Sequence, residues 1–226
     1  KQIKEFTSMT ELCSTMKNHG SDKGLDWHNY TVLYDHLFQD HKDSIANVFE
    51  LGLGSQNTGV FQSTMKPGQG YNPGASHRGW RDYFINANVW GGDIDPDILF
   101  SEDRIECFQV DQTDPDSIKA LWDNFPDDLK FDFILDDGLH TLEGATIFFE
   151  NSIHKLAPQG IYLIEDVQGA WEDNYLDYFE DVSDNHGMDF EFYRLPYQHN
   201  TTDNNIIVIC HKSCDKYFDL LDSFNA

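Results

Sequence analysis

The sequence predicts an α/β fold with a mostly parallel sheet of seven strands and helices on both faces. Short runs rich in Val, Ile and Phe alternate with amphipathic segments through the middle of the chain, which is the pattern of repeated βα units. Several runs are apolar at consecutive positions, as expected for strands covered on both faces. Only residues 196–204 separate the last two predicted strands. That loop is too short for a crossover helix, so we expect the last strand to pair antiparallel.

Each predicted element has its own local pattern. The strands are apolar runs bounded by turn-forming residues, and they cover 47–51, 88–93, 105–111, 131–136, 160–166, 190–195 and 205–210. The helices have apolar residues at helical spacing, and they cover about 28–42, 76–86, 115–124, 141–156, 172–182 and 214–224. Asp114 followed by Pro115 is a favourable helix start.

Composition and charge narrow the classes of function. A chain of 226 residues with 39% hydrophobic residues suits a globular domain with a sizeable core. The formal charge of -25 repels phosphate backbones and anionic lipids, so nucleic acid and membrane surfaces are disfavoured as partners. No apolar run approaches the ~18 residues of a membrane helix, and no apolar stretch follows the first charges. These features predict a cytoplasmic protein.

The N-terminal part is predicted to form a helical segment or lid over residues 1–42, followed by the main domain over 43–226. Aromatic and apolar residues at helical spacing predict a helix packed on the edge of the sheet, and they are Tyr30, Leu33, Tyr34, Leu37 and Phe38. Residues 20–24 before this helix contain two glycines and are candidates for a hinge. Residues 54–74 form one long irregular segment, and such loops in compact domains are usually functional.

The first strand ends in glycines, with Glu50, Gly52 and Gly54 in sequence. Open α/β sheets bind ligands at the carboxyl ends of their strands, and glycine lets a ligand approach the backbone. The third glycine of a dinucleotide-binding GxGxxG motif is missing. A nucleotide-cofactor oxidoreductase is therefore disfavoured, while a plain strand-to-loop turn remains an alternative explanation.

The second and third strands end in acidic residues. Asp93 ends its apolar run and is favoured over Asp95 as the acceptor of hydrogen bonds from ribose hydroxyls. Asp111, followed by Gln112, is suited to bind an adenine amino group. Three such motifs in the correct order indicate a cofactor that contains adenosine.

Two later strands also end in acidic pairs, Asp136-Asp137 and Glu165-Asp166. Adjacent parallel strands lie about 4.8 Å apart, so Asp137, Glu165 and Asp166 are expected to converge. Oxygen-only ligands favour Mg²⁺ or a similar divalent ion. The alternative explanation is that one acid of each pair caps the following helix, as Asp136 could.

The spacing and identity of these motifs resemble one family over residues 20–166. The matching motifs are SDKG at 21–24 with His28 and Tyr30, ELGLG at 50–54, PGAS at 73–76 with Arg78 and Trp80, DID at 93–95, DQ at 111–112, DDGLH at 136–140 and ED at 165–166. They resemble class I methyltransferases dependent on S-adenosylmethionine (SAM), most closely the metal-dependent macrolide-sugar O-methyltransferases of the mycinamicin and macrocin type. His77 departs from the apolar residue expected there, and the last third of the chain has no matching motif.

The resemblance implies a Rossmann-like class I methyltransferase fold and a SAM- and Mg²⁺-dependent O-methyltransferase. Its acceptor would be a sugar hydroxyl in a glycoside or a nucleotide-activated sugar, for instance one for surface polysaccharide. His140 would be the general base, and Asp137 would serve both catalysis and the metal with Glu165 and Asp166. The implied cofactor-binding residues are Tyr30, Glu50, Gly52, Gly54, Ser76, Arg78, Asp93, Asp111, Gln112 and Asp136.

Two other functions remain open for the same motifs. The acceptor could be another small-molecule hydroxyl, such as a catechol-like phenol, or the chain could bind SAM without catalysis. The complete acid and histidine set favours catalysis over a decayed site. Local positive charge near the loops is available from Lys23, Arg78 and Arg194. The resemblance also suggests a homo-oligomer.

Overall fold

The computed structural model describes residues 1–3, 8–60, 71–214 and 216–224. The strands are β1 Asn47–Leu51, β2 Asn88–Asp93, β3 Ser101–Glu102, β4 Ile105–Gln109, β5 Phe131–Asp136, β6 Leu156–Ile164, β7 Met188–Arg194 and β8 Asn205–His211. They form one sheet in the order β3-β4-β2-β1-β5-β6-β8-β7. The five strands from β4 to β6 in that order are parallel, and β3, β8 and β7 pair antiparallel. The predicted fold class and the antiparallel ending are confirmed.

The described helices cover both faces of the sheet. They are α1 Glu11–His19, α2 Tyr30–Phe38, α3 Ala75–Tyr83, α4 Pro115–Trp122, α5 Leu142–Ser152, α6 Glu172–His186 and α7 Lys216–Ser223, with short 3₁₀ turns at Lys42–Ser44, Pro96–Ile98, Ile153–Lys155 and Gly169–Trp171. Asp114 caps α4 by accepting a hydrogen bond from the Asp116 amide, as the sequence indicates. The middle of the predicted irregular segment, residues 61–70, lies outside the described residues.

Two hydrophobic cores lie on opposite faces of the sheet. Helices α1, α2, α3 and α7 pack on the first face, where Phe133 and Leu135 of β5 point. Helices α4, α5 and α6 pack on the second face, where Ile134 of the same strand points. This alternation follows from the two-residue period of a β-strand, and it explains why the central strands are apolar at consecutive positions.

Helix α2 lies on the first face of the sheet, and the expected position at the sheet edge is wrong. The Phe38 ring centroid is 5.1 Å from that of Phe133, which belongs to the central strand β5. Eight of the nine residues of α2 are buried, so the helix needs cover on almost every side. A sheet edge cannot provide that cover. The division of the chain at residue 42 and the lid role stay predictions.

The strand order brings the predicted site residues to one edge. Leu51 of β1 pairs in register with Asp136 of β5, which pairs with Ile164 of β6. The residues that follow, Gly52, Asp137 and Glu165, therefore leave the sheet side by side. Among the described residues, no helix is both long and apolar enough to cross a membrane.

Candidate functional site

Two adjoining cavities open at the carboxyl ends of the parallel strands. The larger has a volume of about 610 Å³ and is lined by residues that follow β1, β2, β4 and β5. The smaller has a volume of about 40 Å³ and is lined mainly by polar and charged side chains. Gly52, Gly54 and Asp137 line both cavities. A ligand in the larger cavity would therefore reach the wall of the smaller one.

The larger cavity is lined by five of the predicted cofactor residues, namely Gly52, Gly54, Asp93, Asp111 and Gln112. Asp93 accepts hydrogen bonds from the backbone amides of Leu53 (2.8 Å) and Asp95 (2.9 Å). Burial raises the pKa of Asp93, and the two amides fix its carboxylate at the cavity wall. Asp95 itself is buried, and the preference for Asp93 stays a prediction.

Gly52 and Gly54 are required by the backbone of this edge. Their φ angles are 98° and 82°, in the left-handed region that side chains rarely adopt. A Cβ atom on Gly52 would collide with the carbonyl oxygen of Asp137, and one on Gly54 would collide with the Tyr71 ring. Both glycines therefore allow neighbouring chain segments to approach the cavity closely.

Asp136 lies behind the cavities and supports the turn after β5. Its carboxylate accepts both hydrogen bonds from Gln112 Nε2 (2.9 and 3.0 Å), while Gln112 Oε1 accepts from the Leu139 amide. Burial raises the pKa of Asp136 to about 7. The alternative that Asp136 caps helix α5 is wrong, because the Thr141 hydroxyl accepts from the Gly144 amide and caps that helix.

Glu50, Ser76 and Arg78 make contacts within the protein. Glu50 is fully buried and accepts hydrogen bonds from Ser76 Oγ (2.7 Å) and Trp80 Nε1 (2.6 Å). Arg78 pairs with Glu102 at 2.7 Å. Within the described part of the chain, Glu50, Ser76 and Arg78 do not line either cavity. Their assignment to the cofactor site stays a prediction.

An acid-imidazole cluster, formed by Asp137, His140 and Asp166, lines the smaller cavity. His140 Nε2 lies 3.1 Å from Asp137 Oδ1 and 3.4 Å from Asp166 Oδ2. One ligand atom from each residue lies within 4.8 Å of the others. Tyr30, a predicted cofactor residue, donates its hydroxyl to Asp166 Oδ1 at 2.8 Å and so orients this carboxylate.

Lys23 lies at the centre of the acidic side chains. Its ammonium is 2.5 Å from Asp137 Oδ2 and 3.3 Å from Glu50 Oε1, and it also contacts Glu165 Oε2. The Lys23 side chain is only 3% exposed. From the sequence, Lys23 is predicted only as a source of positive charge near the loops. Its partner Glu165 is 142 residues away in the chain, so no local pattern could reveal the contact.

Lys23 changes the ionisation of its neighbours. Burial by itself lowers the pKa of Lys23, but Asp137, Glu165 and Glu50 raise it well above its usual value. Burial tends to raise the pKa of Asp137, yet Lys23 and His140 hold it below its usual range. Burial raises the pKa of Glu165 well above its ordinary value, with Lys23 opposing this shift and the carboxylates of Asp137 and Asp166 adding to it. The carboxyl groups of Glu50, Asp137 and Glu165 therefore outnumber the one ammonium group that they share.

These residues fit a hard divalent cation. Several carboxylates converge from neighbouring strand ends, and the lysine ammonium among them shows that the position accommodates positive charge. Asp137 and Asp166 have oxygens within reach of one ion, together with the His140 ring nitrogen. Glu165 is held by Lys23 and by the Tyr34 hydroxyl, which donates to Oε1 at 2.6 Å. The predicted set Asp137, Glu165 and Asp166 stays a prediction.

Characterised proteins are similar in sequence to this chain over about two thirds of its length. The 8-demethyl-8-alpha-L-rhamnosyl tetracenomycin-C 2'-O-methyltransferase of Streptomyces olivaceus is 32% identical over 162 residues, or 71% of this chain and 38% of the relative. The mycinamicin VI 2''-O-methyltransferase of Micromonospora griseorubida is 28% identical over 64% of this chain and 33% of its own length. This chain is a relative of the sugar O-methyltransferases. The resemblance noted from the sequence is thereby confirmed.

The sugar O-methyltransferase relatives are longer proteins, and the chain spans about a third of their length. The MycE methyltransferase from the mycinamycin biosynthetic pathway, solved with Mg and SAH (S-adenosylhomocysteine), has a TM-score of 0.65 at 21% identity, covering 89% of this chain and 55% of MycE. A putative caffeoyl-CoA O-methyltransferase from Staphylococcus aureus has a TM-score of 0.55 at 11% identity, covering 89% and 92%. These likenesses show the methyltransferase fold. No protein-family profile matches the chain.

Proposed function

We propose that this chain is a SAM- and divalent-metal-dependent O-methyltransferase that acts on a sugar hydroxyl. One observation carries the proposal: the larger cavity and the acid-imidazole cluster share the wall formed by Gly52, Gly54 and Asp137. A nucleoside cofactor bound at the strand ends would present its reactive group to the cluster. The sequence relatives, whose names describe sugar O-methylation, support this class of reaction.

The larger cavity has the size and the polar groups that an adenosine cofactor requires. Asp93 would accept hydrogen bonds from the ribose hydroxyls, and Asp111 with Gln112 would face the adenine. The glycine backbone at the wall allows close approach of the methionine part. The neighbouring carboxylates attract the positive sulfonium group.

Asp137, Glu165 and Asp166 would hold the metal, with oxygens of the acceptor sugar completing its coordination. A divalent ion bound there would lower the pKa of an acceptor hydroxyl. Like charges so close together repel strongly, so the three carboxylates favour a divalent cation between them. Removing the metal with a chelator should therefore abolish turnover.

His140 would act as the general base. Burial by itself lowers the pKa of His140, but Asp166 and Asp137 raise it to about 10 in this arrangement. A cation on those carboxylates would remove that stabilisation of the imidazolium and leave a neutral base. His140 would then take the hydroxyl proton, and the oxygen would accept the methyl group of SAM, with the electron pair of the broken carbon–sulfur bond remaining on sulfur. Adenosylhomocysteine is the other product.

A glycoside is the acceptor class that the relatives favour. The formal charge of -25 makes a phosphorylated sugar less suitable, so nucleotide sugars and a role in surface polysaccharide are secondary. The cytoplasmic location and the homo-oligomeric state stay predictions.

A methylation screen tests the proposed function. The protein is incubated with SAM and Mg²⁺ and a panel of rhamnosides, other glycosides, nucleotide sugars and catechols, and products are detected by mass spectrometry. We expect one added methyl group on a glycoside and no product in a parallel sample with chelator. Methylation of catechols alone, or full activity under chelation, would contradict the proposal. Binding of NAD in place of adenosylhomocysteine, measured by calorimetry, would indicate an oxidoreductase.

A further inference from the structure

Lys23 connects three neighbouring strand ends through one ammonium group. Glu50 belongs to β1, Asp137 follows β5, and Glu165 follows β6. The Lys23 ammonium contacts a carboxylate oxygen of each. The lysine lies in the loop between α1 and α2, which is far in sequence from all but Glu50. No part of the proposed reaction uses this residue.

The ammonium occupies oxygens that a metal would need. Tyr34 donates to Glu165 Oε1 at 2.6 Å, so the other oxygen, Oε2, is the one turned toward Lys23. Asp137 Oδ2 is likewise held by Lys23, at 2.5 Å. An ammonium and a divalent cation on the same oxygens would lie only a few ångströms apart, where like charges repel strongly at low dielectric.

The lysine also explains how the carboxylates remain together without a metal. Buried acids that lack a counter-charge either take up protons or destabilise the fold. The Lys23 ammonium lies at ion-pair distance from three of them and supplies that counter-charge. The Lys23 ammonium therefore supplies the positive charge that a bound cation would otherwise supply.

We propose that Lys23 is a tethered cation that neutralises the metal carboxylates in the metal-free protein, and that Mg²⁺ displaces it on binding. The proposal rests on the metal site of the proposed function and adds a regulation of that site. The lysine side chain leaves Asp137 and Glu165 when the ion arrives. The loop that carries it begins at Gly20, which ends α1 with a left-handed backbone (φ 80°).

Calorimetric titration with MgCl₂ tests the exchange directly. In Lys23→Met the competing charge is gone, so we expect the apparent Kd for Mg²⁺ to fall by about tenfold or more relative to the unmodified protein. Lys17→Met is the matched control, because Lys17 pairs with the exposed Asp26 of the same loop, and it should bind Mg²⁺ like the unmodified protein. Unchanged or weaker binding by Lys23→Met would overturn the exchange.

The results of the MgCl₂ titration distinguish the cation exchange from the proposed function. If neither protein binds Mg²⁺, the metal site of the proposed function fails, and the exchange fails with it. If the unmodified protein binds Mg²⁺ and Lys23→Met binds no tighter, only the exchange fails.

A second measurement uses the unmodified protein, in case Lys23→Met does not fold. Lysines are acetylated with a small amine-reactive ester, and the extent at each residue is read by peptide mass spectrometry. We expect Lys23 to be protected with chelator and to react faster at saturating Mg²⁺, while the exposed Lys119 reacts equally in both samples. Equal or slower labelling of Lys23 with Mg²⁺ would contradict displacement.

Discussion

Two non-glycine residues of the acid-imidazole cluster have left-handed backbones. His140 and Asp166 both have φ angles of 54°, a conformation that costs such residues about 1–3 kcal/mol. Asp137 contacts the His140 imidazole, and Tyr30 of α2 donates a hydrogen bond to Asp166, so both residues are held in place. This backbone turns the imidazole and the carboxylate toward the smaller cavity. The left-handed backbone therefore directs the side chains of His140 and Asp166 toward the same cavity.

Replacing His140 by alanine separates catalysis from binding. His140→Ala removes the imidazole and retains a Cβ atom, so the unusual backbone gains no glycine-like freedom. We expect turnover to fall about 10²–10⁴-fold, which is the usual contribution of a general base. Binding of adenosylhomocysteine, measured by calorimetry, should stay within a factor of a few. A large loss of cofactor affinity would instead indicate that His140 shapes the cofactor cavity.

At the residue scale, the sequence predicts the carboxylates of the site, whereas it predicts Lys23 only as positive charge near the loops. Asp93, Asp137 and Asp166 each stand at the end of a recognisable strand, and parallel strands end at one edge. Lys23 stands in a loop whose path depends on how α1 and α2 pack. Its contacts with Asp137 and Glu165 are consequences of tertiary packing that no local pattern contains.

The turn between β5 and α5 connects the cluster to a helix. Helix α5 begins at Leu142, two residues after His140, and the Thr141 hydroxyl accepts a hydrogen bond from the Gly144 amide at 3.2 Å. This cap satisfies an amide that has no partner within the helix. The cap of α5 therefore lies one residue after His140 and fixes where the helix begins.

The cap predicts a measurable loss of stability. Thr141→Ala should lower the free energy of unfolding by about 1 kcal/mol, since an amide loses its acceptor. Thr146→Ala in the same helix is the control, because its hydroxyl bonds to the Glu143 carbonyl within the helix. We expect Thr146→Ala to be neutral or slightly stabilising in urea unfolding. Equal effects of the two substitutions would show that Thr141 contributes no cap.

Two elements were missed from the sequence for different reasons. Helix α1 buries only Leu12, Cys13 and Met16, so its apolar pattern is weak. Its end signals are present, with Thr10 as the cap and Gly20 after the last turn, and they could have been read. Strand β3 has two exposed residues and pairs antiparallel with β4, so it carries no hydrophobic pattern at all.

Ligand binding should be visible in the stability of the whole molecule. The larger cavity is lined from four separate strand ends, so a ligand there binds only the folded chain. Adenosylhomocysteine at about 100 times its Kd should stabilise the fold by about 2.7 kcal/mol, seen as a higher Tm in thermal unfolding. NAD at the same concentration should leave the Tm unchanged. An equal shift with NAD would contradict a methyl-donor site.

The first core joins distant parts of the chain. His36 Nε2 of α2 lies 3.0 Å from the Leu220 carbonyl of α7, and the Phe38 and Tyr217 rings are 6.2 Å apart. Tyr217 and Leu221 are fully buried in that core. During translation, α2 therefore cannot complete its contacts until α7 has left the ribosome. Until then the part of the first core that Tyr217 and Leu221 fill is exposed, and it is the apolar surface that a chaperone would bind.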